Sequence, residues 1–118
     1  MNDAPRSLAG CVDEASESIR AANHAAAGPV TGSDAYPIVG SLGELVHRLP
    51  QLVDYLARGL RRADPTEHYD DRGHDPADAL QLAHGALLLA GDRLSDLAHE
   101  LDAAHNHLGH LGRRITED

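Results

Sequence analysis

The chain has 118 residues and a formal net charge of -9, with 19 Asp and Glu against 10 basic residues, every one of them Arg. That length is one domain's worth, able to bury roughly two-thirds of its unfolded surface without staples, and the charge argues against a general nucleic-acid binder, whose affinity comes largely from neutralising phosphates. Leucine and alanine dominate, Phe and Trp are absent, and β-branched residues are too scattered for a strand-like run, so the expected class is all-α.

A first helix is expected from about Ser7 to Ala27. Leu8, Val12, Ala15, Ile19, Ala22 and Ala26 fall on one face and the charged residues fall elsewhere. Cys11, the single cysteine, has no partner for an intramolecular disulfide and reads as a small core residue on the apolar side. Gly28-Pro29 stops the helix. The opening Met-Asn-Asp-Ala-Pro-Arg-Ser lacks the basic and apolar regions of a signal peptide. No apolar run reaches the roughly 18 residues of a membrane span, so a cytoplasmic protein without a membrane partner is expected.

The second helix is placed at 37–62. Ser33 or Asp34 can cap it with Pro37 in its first turn, and Ser41 with Glu44 is an equally good capping box. Ile38, Leu42, Leu45, Leu49, Leu52, Leu56 and Leu60 form a continuous stripe, widened by Val39, Val46 and Val53. Pro50 interrupts it at a cost of about 3 kcal/mol unless the helix bends, and because the stripe stays in phase a single kinked helix is expected. Glu44 with Arg48 and Asp54 with Arg58 supply i,i+4 pairs.

The connection at 64–75 is acidic. Asp64, Glu67, Asp70, Asp71 and Asp75 form a carboxylate surface facing only Arg72, ordinarily a solvated loop leading into the acidic first turn of the next helix.

Asp75-Pro76-Ala77-Asp78 is a strong helix start, and the third helix is placed at 76–112, about 55 Å long at 1.5 Å per residue. Leu80, Ala83, Leu87, Ala90, Leu94, Leu97, Leu101, Ala104, Leu108, Leu111 and Ile115 alternate in steps of three and four, an unbroken heptad seam. Leu82, Leu88 and Leu89 widen its first half. Being longer than its partners, this helix is expected to overhang the bundle and offer Leu94, Leu97, Leu101, Ala104, Leu108 and Leu111 to another chain. Gly109 and Gly112 invite fraying, and Arg58, Arg61, Arg62, Arg113 and Arg114 sit where helices end, complementing their dipoles.

Nine histidines are the compositional oddity. His99, His105, His107 and His110 cluster near the C-terminus with Glu100 and Asp102, but only His107 with His110 and His99 with Asp102 have helical ligand spacing. They read as surface and seam-flanking residues, and no metal is expected; His105 beside the seam leaves room for pH sensitivity. There is no phosphate loop, nucleophile elbow, His-Glu-x-x-His, Cys pair or calcium loop. The secreted Trp-x-Gly helical hairpins need a Trp that this chain lacks.

The resulting expectation is a single domain, 1–118, folded as an antiparallel three-helix bundle with a coiled-coil-like seam on a long third helix. It would be a non-enzymatic interaction module with no cofactor, self-associating through that helix, a dimer favoured, with a further protein partner possible. The alternative is an acidic inhibitor or nucleic-acid mimic whose 64–78 carboxylates occupy a basic groove.

Overall fold

The computed structural model describes residues 6–112, 114 and 115. Among them there are three long α-helices and one short 3-10 turn, and no strand. Two compact units divide the chain, residues 1–30 and residues 31–118.

The first unit carries α1, Leu8–Ala25. The Ser7 hydroxyl caps it by accepting from the Gly10 amide at 3.0 Å. It ends two residues short of the expected Ala27, ahead of Gly28, whose φ of 78° leaves the helical conformation before Pro29. None of its residues is buried, and Cys11 is exposed, which corrects its reading as a core residue.

The second unit is an antiparallel helical hairpin of α2, Gly32–Arg62, and α3, Pro76–Leu108. Thr31 caps α2 by accepting from the Asp34 amide at 3.1 Å. The helix therefore starts five residues earlier than 37, and Pro37 lies inside it rather than in its first turn. α2 continues through both Pro37 and Pro50 as one element. The expected pairs form on its surface, Arg58 with Asp54 at 3.0 Å and Arg48 with Glu44 at 3.8 Å.

Asp75 caps α3 through its carboxylate, which accepts from the Ala77 amide at 3.0 Å, with Pro76 at the first helical position as its fixed φ favours. The helix stops at Leu108, not 112, because the chain tightens there: the Gly109 amide donates to His105 and the His110 amide to His107. Arg114 lies beyond the last helical residue, and Arg113 lies outside the described residues. With 31 residues in α2 and 33 in α3, the two helices are almost equal in length. The overhang expected of the third helix is absent from the hairpin; the early start of α2 supplies the missing partner turns.

Burial identifies the seam between them. On α2 the inward row is Val39, Gly43, Val46, Pro50, Val53, Ala57 and Leu60; on α3 it is Leu80, His84, Leu87, Gly91, Leu94, Ala98, Leu101, His105 and Leu108. Both rows alternate steps of three and four, as lengthwise packing requires. The fully enclosed positions are small, with Ala57 0% and Ala98 1% exposed, so the axes approach closely and leave large side chains at the margins. His84 donates from Nδ1 to the Ala57 carbonyl at 2.7 Å, and the His105 ring stacks on Tyr36 with centroids 4.2 Å apart.

Candidate interaction surface

The hairpin has two unlike sides, and elementary helix geometry sorts them. His47 and Asp102 each follow a seam residue, Val46 and Leu101, by one position, and they meet: the His47 Nε2–H donates to the Asp102 carboxylate at 2.7 Å. In an antiparallel pair a one-residue step in the same chain direction turns both helices towards the same side. Glu44, Asp54, Arg58 and Arg61 of α2 and Gln81, Ser95 and Asp92 of α3 also follow seam residues. This side is polar. One concavity of about 340 Å³ lies between Pro37, Gly40, Glu44, His47, Asp102 and His105, and another of about 390 Å³ beside Arg61, Gln81 and His84.

Residues that precede the seam by one position occupy the opposite side. From α2 these are Ile38, Leu42, Leu45, Leu49, Leu52 and Leu56; from α3 they are Ala83, Ala90, Leu97 and Ala104. The α2 row is uncharged; on α3 the same rule adds Ala79 and Ala86 together with the exposed Arg93, Glu100 and His107, which precede Leu94, Leu101 and Leu108. Ile38 is 62% exposed, Leu42 40%, Leu56 39% and Leu97 43%, while Leu45, Leu49 and Leu52 are half-buried. An unbroken leucine row along α2, flanked by the small residues of α3, is the kind of surface that proteins in water cover.

Of the residues expected to form a free seam, Leu94, Leu101 and Leu108 face α2 within the hairpin and are half-buried. Leu97 and Ala104 are exposed, on the apolar side. Leu111 is 62% exposed and sits over the start of α2, where a Cβ added to Gly32 would come within 2.8 Å of it. The leucine row of α2, read from sequence as core, supplies most of the apolar side. Two adjacent heptad rows in α2 are both apolar, and the signal separating them lay in the glycine and alanine of the second row, which permit close helix approach.

The acidic connection is structured. Asp64 caps a 3-10 turn, Pro65–Glu67, accepting from the Thr66 amide at 2.9 Å and its hydroxyl at 2.7 Å. The Thr66 hydroxyl and then its amide hold the Asp64 carboxyl below the usual carboxylate value. Asp70 accepts from the Arg72 amide at 2.7 Å and from its guanidinium at 2.8 and 3.1 Å. Those bonds, the guanidinium ones foremost, lower the Asp70 carboxyl from 3.8 to about 2. Glu67, Asp71 and Asp75 are exposed. Among the described residues, no group of three or more His, Cys, Asp or Glu side chains is arranged to hold a metal ion. No described helix is long and apolar enough to cross a membrane.

Comparison with protein-family models, with curated proteins and with solved structures found no match for this chain.

Proposed function

We propose that this chain is a non-enzymatic helical interaction module that associates with itself, α3 contributing Leu97 and Ala104 to the contact. The observation that carries this reading is the uncharged leucine row of α2 beside Leu97 of α3, with Leu42, Leu56 and Leu97 each about two-fifths exposed. A two-helix element with one polar and one apolar side buries the apolar one against further helices, because leaving a leucine in water forgoes roughly 2 kcal/mol of burial per side chain. Light scattering on the full chain at low and high salt tests it. A mass above that of one chain, insensitive to salt, is expected from apolar contact; a monomer at every concentration contradicts it.

A second reading rests on the acidic connection. Asp64, Asp70 and Asp75 are held by local hydrogen bonds, and Glu67 and Asp71 are exposed on the same short segment, which gathers five carboxylates there. An acidic inhibitor or nucleic-acid mimic would use them against a basic groove. Its complex would weaken steeply as salt rises, which separates it from the first reading.

A further inference from the structure

We infer that the occupant of the apolar side is a second copy of this chain, laid face to face so that the α2 leucine row of each copy packs on the alanine-rich α3 row of the other. This rests on the self-association proposed above and adds its surface and arrangement. The α3 inward seam is already spent on α2, so the contact belongs chiefly to residues of α2.

The two rows are complementary in size. α2 presents Ile38, Leu42, Leu45, Leu49, Leu52 and Leu56, all large; the α3 row next to the seam presents Ala83, Ala90 and Ala104, with Leu97 its one large side chain, while Arg93 and Glu100 stand farther out on the same side. Leucine rows laid on each other would crowd, and alanine rows laid on each other would leave a void. A two-fold axis parallel to the helices places each leucine row over the partner's alanine row, so one symmetry operation fills both grooves. A single foreign helix would fill one groove only.

Heights along the hairpin agree. Gly43 lies beside Leu101 and Gly91 beside Val53, so positions in α2 and α3 at one level have numbers summing to about 144. A rotation about an axis parallel to the helices preserves level. Leu97 of one copy then falls between Leu45 and Leu49 of the other, Ala90 between Leu52 and Leu56, and Ala104 between Ile38 and Leu42. Arg48, at the rim beside Leu49, comes level with Asp96 and close in level to Glu100, towards the outer edge of the other copy's α3, giving opposite charges at the border of the strip.

Size is sufficient. The rows run about 30 Å at 1.5 Å per residue, and two helices with axes 8–10 Å apart present a face about 20 Å wide. That is on the order of 600 Å² from each copy, and the total of roughly 1,200 Å² reaches the lower edge of specific interfaces. The strip is also continuous with the α2–α3 seam, so four helices would share one core.

Cysteine pairing in mixed full-length chains tests the arrangement. In a Cys11→Ser background, Leu49→Cys and Leu97→Cys are prepared separately, checked for helicity by circular dichroism, and oxidised alone and as a mixture. The expected result is a disulfide-linked pair from the mixture, at least several-fold more abundant than from either variant alone. Efficient linking of Leu49→Cys to itself would overturn the leucine-on-alanine arrangement while leaving self-association standing. Multi-angle light scattering of the unlinked Cys11→Ser chain supplies the remaining arm, and a monomer there would overturn both.

Discussion

Asp70 shows how a single residue can hold a loop without a core. Its carboxylate is bonded to both the amide and the guanidinium of Arg72, two residues on, and its side chain is only 5% exposed. A carboxyl lowered to about 2 from 3.8 favours the folded loop wherever it is ionised. Its contribution is therefore present above the unfolded value and is lost as pH falls from about 4 towards 2. Carbon-detected NMR titration should place the Asp70 midpoint near 2 and return it to the ordinary carboxylate range in Arg72→Ala. A midpoint unchanged by that substitution would refute the pairing. Glu67 and Asp71 make no such bond, and neutralising either should change stability by less than about 0.5 kcal/mol in denaturant unfolding.

Glycine offers a second contrast at the same scale. A Cβ at Gly40 would meet the His105 ring at 2.8 Å and dislodge it from Tyr36, whereas at Gly59 nothing lies within 4 Å. Gly59→Ala should stabilise the helix by about 0.5–1 kcal/mol, as alanine does in open helical positions. Gly40→Ala should forfeit that gain and lower the midpoint of thermal unfolding. Capping was legible in the sequence at Asp75 because a cap is settled within a few residues. The stack of His105 on Tyr36 was not, because it joins positions far apart in the chain.

At the scale of elements, three helices and their order were legible from composition and period, and the limits of α2 and the choice of seam were not. Ser33, Asp34 and Thr31 all carry capping oxygens, and local rules do not rank them when Pro37 fits either start. The α3 seam was read one position off on one of its two rows. Positions 83, 90, 97 and 104 look more apolar than 84, 91, 98 and 105, which carry His, Gly, Ala and His. Close approach of the axes selects the smaller row, and His84 is accommodated by its bond to the Ala57 carbonyl. Volume is the discriminating variable. Ala98→Leu should therefore cost about 1–3 kcal/mol through overpacking, while Ala103→Leu, on the exposed outer surface of α3, should stay within about 0.5 kcal/mol. Equal costs would mean that Ala98 does not face α2.

For the whole molecule, the near-equal lengths of α2 and α3 change which surface is left over. An overhanging third helix would have offered its own seam to another chain. A matched hairpin instead leaves one side exposed, built mainly from α2, and Leu97 and Ala104 of the expected set lie on it. The sequence showed that the chain has more apolar stripe than two helices consume, but the side on which the surplus falls depends on a register that only the packed hairpin defines. Leu82 provides an internal control, since it is 75% exposed on the outward face of α3, away from the apolar strip.

Sedimentation equilibrium on the full chain and on Leu49→Asp and Leu82→Asp, each with its circular dichroism, tests the central claim most directly. The account predicts twice the chain mass for the wild type and for Leu82→Asp, and a helical monomer for Leu49→Asp. A wild-type monomer across the concentration range, or a Leu49→Asp dimer as tight as the wild type, would contradict it.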